Sequence, residues 1–367
     1  MKIGIIGTRG IPNHYGGFEQ FAQILSENLT SFGAEVWVYN SHNHPYKDSK
    51  WGEVNIIHKK DPENKIGTVG QFIYDLNCIL DCRKRDFDII LQLGYTSSSI
   101  WNKLLPKKAI VVTNMDGLEW KRCKYSPFVR KFLKYAEKLA VKSSDFLIAD
   151  SIAIQSYLKK SYNADSKYIS YGANLFNNPD KLFPERYNVK TNEYFLLIAR
   201  MQADNNVEMI IKGVIDSDVK HPLLIIGNTQ NKFGKYLKNK YKPFPNIVFL
   251  EAIYDEETLN QLRYNCACYF HGHSAGGTNP SLLEAMAASA FICANDNPFN
   301  KAVLECNALY FKSSDDISAI LKKQLYNKEN RGSFIHNNFK KIEIFHNWAE
   351  ISDTYYQFFL NLLQIKG

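Results

Sequence analysis

The sequence predicts an α/β chain of two doubly wound, Rossmann-like domains facing a cleft. Short apolar runs alternate with helical stretches from the first residue, and the series repeats once along the chain. The runs are hydrophobic throughout, as expected of strands in parallel sheets covered on both faces. A length of 367 residues corresponds to two domains at about 150 residues each.

The first series places strands at 2–7, 35–40, 54–58, 88–93, 109–113, 146–149 and 168–171. The second places them at 194–199, 222–227, 247–250, 268–271, 291–294 and 308–311. Between the first two runs, Phe18, Phe21, Ala22, Leu25 and Leu29 recur at helical spacing and mark one buried face. The stretch 172–186 has two prolines, several Asn and Asp residues and no helical period, which makes it the seam. Domains are therefore expected over 1–172 and 186–345. Beyond residue 311 only helix-like segments follow, ending in an aromatic-rich tail from Trp348.

Composition narrows the class. Hydrophobic residues make up 45% and charged residues 22%, ordinary globular values that exclude disordered, collagen-like and coiled-coil chains. No apolar run approaches the roughly 18 residues of a spanning helix, and the opening run is too short for a secretory signal. Seven cysteines, an odd number without zinc-ribbon spacing, suit a reducing compartment, so a cytoplasmic location is expected. Charge is uneven: residues 1–170 carry 24 Lys+Arg against 17 Asp+Glu, and residues 171–367 carry 21 against 20. A basic front half points to an anionic partner there. No nucleic-acid reading motif accompanies it, so nucleic acid is not expected.

Ligands of open α/β sheets sit outside the carboxyl ends of strands, so the loops there are the candidate sites. The first run ends in Gly7-Thr-Arg9-Gly10, and Gly16-Gly17 then opens the amphipathic helix, a possible phosphate cradle or merely a tight turn. It is not a dinucleotide fingerprint. Asp116, Glu119, Trp120, Lys121 and Arg122 cluster after the run 109–113. They could stack and orient a sugar, or Asp116 could simply cap a helix. Lys131, Lys134, Lys138 and Lys142 share one helical face, either a contact for an anionic membrane surface or a solvated stripe. In the second half, Arg200 stands at a strand mouth, where its fork suits a diphosphate or an ion pair. The loop Gly276-Gly277-Thr278-Asn279 leads into a helix opened by Pro280 and Ser281, an anion site, with Glu284 one turn on and within reach of a ribose hydroxyl. His271 and His273 lack a second ligand cluster in sequence, so metal is not expected. Asp86-Phe-Asp88 and Asp216-Ser-Asp218 are read as structural.

In order and approximate spacing, Gly16-Gly17-Phe-Glu19, Arg200 with its loop, and 276–287 resemble retaining glycosyltransferases of family 4, with the two-domain GT-B architecture. The long motifs around Gly7–Glu19, Asp116–Arg122 and Gly276–Ala285 are similar to the bacterial rhamnosyltransferase branch of polysaccharide synthesis. Two departures stand out. Asn205 replaces the wider family's lysine five residues after the arginine, and Gly276 replaces the first of its two glutamates.

The resemblance implies a C-terminal helix, 348–367, crossing back to an acceptor-binding first domain. It also implies a donor, dTDP-L-rhamnose or another nucleotide sugar, bound by Gly16, Gly17, Arg200, Asn205, Gly276, Gly277, Thr278, Asn279, Ser281 and Glu284. Arg9, Glu19, Trp120 and Arg122 are expected to bind the acceptor, a lipid-diphosphate-linked saccharide at the inner membrane face. Asp116, Glu119 and Asp150 are expected to orient it or move its proton. The leaving diphosphate is then neutralised by fixed donors without a metal or other cofactor. A sugar-nucleotide 2-epimerase of the same fold, or a non-catalytic nucleotide-sugar binder, are the alternatives.

Overall fold

The structure is a computed structural model describing all residues except 15, 123, 124, 275, 276, 328 and 367. The chain divides into two compact units. The first comprises Met1–Lys121, Tyr125–Tyr171 and Trp348–Gly367, and the second Arg122–Lys124 and Gly172–Asn347.

The first unit holds β1 (Lys2–Ile6), β2 (Glu35–Ser41), β3 (Lys50–Trp51), β4 (Val54–Lys59), β5 (Ile89–Leu93), β6 (Ile110–Asn114), β7 (Phe146–Ala149) and β8 (Lys167–Tyr168). They form one sheet in the order β3-β4-β2-β1-β5-β6-β7-β8, parallel except for β3 against β4. Uninterrupted apolar runs produce this arrangement because both faces are covered; Ile3, Ile5, Val36, Val38, Ile89, Ile90 and Leu91 are fully buried. The strand expected at 168–171 instead pairs at Lys167–Tyr168. The helix Trp348–Lys366 belongs to this unit. Its aromatic face explains why: the Tyr355 ring lies 5.5 Å from that of Phe21 and Phe358 lies 6.3 Å from Phe146, while Asn28 donates to Ser352 Oγ at 2.9 Å.

The second unit holds β9 (Phe195–Ile198), β10 (Leu223–Ile226), β11 (Ile247–Leu250), β12 (Cys268–His271), β13 (Ile292–Asn295) and β14 (Leu309–Phe311). They form a parallel sheet in the order β11-β10-β9-β12-β13-β14. In each sheet the strand order reverses at one place, between β1 and β5 and between β9 and β12. In open α/β sheets such a reversal, at the carboxyl ends of the strands, is where a ligand crevice is expected.

Candidate functional site

At the first reversal, backbone geometry demands glycine. Gly7 has φ +86°, and a Cβ there would lie 2.3 Å from the Leu93 carbonyl oxygen at the end of β5. The loop that follows is tied down by its own polar residues. Glu19, in the first turn of the helix Gly17–Ser31, accepts hydrogen bonds from the Arg9 N–H at 2.9 Å and the Thr8 hydroxyl at 3.2 Å. Its carboxylate also lies 3.3 Å from where a Cβ on Gly16 would sit. The Gly16-Gly17 turn therefore already holds an anion, Glu19, and a phosphate would have to share that field. Arg9 grips Glu63 through two nitrogens, at 2.9 and 3.3 Å. Glu19 and Arg9, expected at the acceptor, thus secure the loop. Behind it, Asp75 is buried on the helix Val69–Cys82 and accepts from the Ser97 hydroxyl at 2.6 Å. Burial raises its carboxyl to about 7, with the Ser97 hydrogen bond and Arg9 pulling the other way.

Asp116 and Asp150 come together. Asp116 follows β6 with φ +45°, its N–H donating to the Asn114 side chain at 3.0 Å, and Asp150 follows the neighbouring β7. Both lie beside Tyr171, whose hydroxyl is raised first by burial and then by these two carboxylates. Asn114 also donates to Tyr355 of the C-terminal helix at 3.3 Å. The next α-helix, Pro127–Ser143, is capped by Ser126 rather than by Asp116.

Trp120 is anchored to this same helix. Glu137, 1% exposed, accepts from Trp120 Nε1 at 3.1 Å, Tyr157 and Tyr162 at 2.6 Å each, Lys134 at 2.9 Å and Tyr95 at 3.3 Å. Lys134 lies over the Trp120 ring, 4.6 Å from its centroid, and near the rings of Tyr157 and Tyr162. That ring face is therefore occupied by a cation, which competes with the expected sugar stacking. Lys134 accordingly leaves the basic stripe. Lys131, Lys138 and Lys142 are exposed, and Phe128 (81%) and Tyr135 (55%) join them on the same face. Arg122 parts from Trp120: it belongs to the second unit, 3.4 Å from Asp204. Glu119 opens the short turn Glu119–Lys121.

In the second unit Arg200 follows β9, is exposed, and its side chain makes no hydrogen bond or ion pair among the described residues. Asn205, expected at the donor, is instead buried and donates to the Arg200 carbonyl at 2.8 Å, closing the loop on itself. After β12, Asn279 caps the helix Pro280–Ala287. Its side chain takes the Ser281 N–H at 3.0 Å, and its carbonyl takes the Leu282 N–H at 3.0 Å. Pro280 has no N–H, so the first turn has few donors left for an anion and any such site shifts into the preceding loop. Ser281 Oγ pairs with the Tyr269 hydroxyl at 2.7 Å. Gly277 and the buried Thr278 lie in that loop, while Gly276 falls outside the described residues. Glu284 forms an ion pair with Arg263, which is 1% exposed and also donates to Asn260 at 2.8 Å.

Sequence reasoning missed Asp75, Glu137 and Arg263. Each lies inside a helix, with partners 17 to 42 residues away or one turn along, so no local motif marks it.

Residues 1–174 match the family described as "Domain of unknown function (DUF1972)". The O-antigen chain mannosyltransferase RfbU of Salmonella typhimurium is 23% identical over 201 residues, covering 52% of this chain and 54% of that protein. The chain thus matches about half the length of that curated relative. Sucrose-phosphate synthase from Thermosynechococcus elongatus superposes with a TM-score of 0.84 at 16% identity, over 99% of both chains. Anabaena Alr3699/HepE in complex with UDP and glucose superposes with a TM-score of 0.76 at 13% identity, over 97% of this chain and 98% of that one. Two parallel Rossmann-like sheets and these superpositions give the chain the GT-B glycosyltransferase fold.

Proposed function

We propose that this chain is a retaining glycosyltransferase of bacterial surface-polysaccharide synthesis. It transfers L-rhamnose from dTDP-L-rhamnose to a lipid-diphosphate-linked saccharide at the inner face of the cell membrane. The observation that carries the reading is Arg200, an exposed guanidinium with no partner among the described residues, at the strand-order reversal of the second sheet. A fork in that position grips two oxygens of a diphosphate and neutralises the charge that develops as the sugar leaves, so the reading calls on no metal. The likeness to an O-antigen mannosyltransferase and to a UDP-bound neighbour supports a nucleotide-sugar donor, and the motif resemblance supports rhamnose and retention.

In the first unit, Asp116 and Asp150 are the carboxylates available to orient an acceptor hydroxyl. Membrane contact falls to the helix Pro127–Ser143, whose exposed face combines Lys131, Lys138 and Lys142 with Phe128 and Tyr135. Cations beside exposed aromatic rings suit an anionic bilayer surface.

Nucleotide release from dTDP-, UDP- and GDP-sugars, with and without bacterial lipid-diphosphate-saccharide extract, tests the reading. Acceptor-dependent dTDP release from dTDP-rhamnose alone is expected, and Arg200→Ala should lower it by about two orders of magnitude. Release from another nucleotide sugar would replace the donor. Release without acceptor, with the sugar epimerised, would replace the reaction. Binding with no turnover would leave a non-catalytic binder.

A further inference from the structure

Tyr269 and His271 share one face of β12, and the ring of His273, two residues beyond the strand, continues their stack. The Tyr269 and His271 rings stack at 6.3 Å and 27°, and His271 and His273 at 4.6 Å and 18°. Tyr269 is satisfied by Ser281. The imidazoles are not: both ring nitrogens of His271 and Nδ1 of His273 are buried with no hydrogen-bond partner among the described residues. Buried polar atoms are nearly always paired, so two adjacent unpaired rings at a strand mouth require an explanation.

The backbone that carries them is held firmly. Asn206 donates to the Gly272 carbonyl at 2.8 Å, Asn297 and Asn300 donate to the His273 carbonyl at 2.9 and 3.2 Å, and Ser274 donates twice to the Asp204 carbonyl. Gly272 passes so close to Asn205 that a Cβ would lie 2.1 Å from its carbonyl oxygen. The rings therefore cannot reach partners by backbone movement at modest expense. Burial pulls His271 down to about 3 and lowers His273 as well, with His271 and Arg200 reinforcing the second shift. Both rings are neutral at pH 7, and a neutral imidazole presents one N–H and one lone pair. That pairing suits a hydroxyl, which both donates and accepts. Phosphate oxygens only accept, and Arg200 on the adjacent strand already offers them a cation.

We propose that His273 recognises the transferred sugar through a hydrogen bond to one of its hydroxyls, with His271 stacked beneath it as a positioning residue. The proposal rests on the nucleotide-sugar reading above. The test is calorimetric titration of the full chain with dTDP and dTDP-L-rhamnose, UDP and UDP-glucose, and GDP and GDP-mannose. The pair that wild type binds is then repeated on His273→Phe, which keeps the stacked ring without its nitrogens, and on His273→Gln, which keeps a donor and an acceptor. His273→Phe should bind the bare nucleotide as wild type does while losing about tenfold for the sugar nucleotide, and His273→Gln should retain most of that affinity. His273→Leu serves as a second apolar variant should the first lose its melting transition. Unchanged affinity in the apolar variants overturns the proposal, as does equal weakening for nucleotide and sugar nucleotide. Failure of wild type to bind any of the pairs instead overturns the nucleotide-sugar reading on which it rests.

Discussion

Asp75 ties the stability of the first unit to pH. It is 5% exposed, accepts one hydrogen bond from Ser97, and its carboxyl is raised to about 7, chiefly by burial. In the unfolded chain the same group titrates near the usual value of about 3.9. Between those two values the folded chain keeps a proton that the unfolded chain releases, so stability falls as pH rises and levels off above about 7. Three units of displacement correspond to about 4 kcal/mol at most, of which about 1.5 is already lost by pH 5. Asp75→Asn keeps an oxygen for the Ser97 hydroxyl and removes the ionisation. Its stability relative to wild type should therefore improve by about 3 kcal/mol between pH 5 and pH 8. Urea denaturation of both proteins at the two pH values, followed by tryptophan fluorescence, measures the difference while pH effects common to both cancel. A mutational difference that stays the same at pH 5 and pH 8 would show that Asp75 ionises freely in the folded protein, and the argument from burial would fail.

Three further outcomes are expected. Glu284→Ala leaves Arg263 buried without its carboxylate, so the urea midpoint should fall by the equivalent of about 3–5 kcal/mol, whereas Arg263→Met with Glu284→Leu should recover most of that loss. A purely ligand-binding Glu284 would show no stability change. Gly7→Ala forces a β-carbon onto the Leu93 carbonyl at positive φ and should lower the melting transition. Gly52→Ala, also at positive φ (+55°) but with nothing within 4 Å of the added carbon, should lower it by less, about 1 kcal/mol. Replacing Lys131, Lys138 and Lys142 by Gln should weaken sedimentation with phosphatidylserine vesicles by about a hundredfold at roughly 1 kcal/mol per lysine, and wild-type binding that ignores both salt and this change would refute the contact.

Most strands were legible because burial on both faces writes an uninterrupted apolar run into them. Lys50–Trp51 escaped for the same reason: a two-residue antiparallel edge strand needs no such run. The loops that matter were legible too, because a strand's carboxyl end and the following helix start are neighbours in sequence. Gly7, Asp116, Arg200 and Asn279 were all located that way.

What a loop residue does at such an end depends on a partner remote in sequence, and there the sequence gives no signal. Glu19 and Glu284 look alike as carboxylates one turn into a helix beside a glycine loop. The first folds back onto Thr8 and Arg9, and the second meets a buried arginine 21 residues earlier. Asn205 stands five residues beyond Arg200, yet its amide is directed at Arg200's own carbonyl. The polar residues at both reversals are thus largely engaged in holding loops in shape. Arg200 and His273 have side chains without such a task among the described residues, and both emerge from adjacent strands, β9 and β12, at one reversal. A cation and a neutral donor–acceptor ring held a strand apart match the two chemical halves of a sugar diphosphate, and that match makes the second sheet's reversal the place to test first.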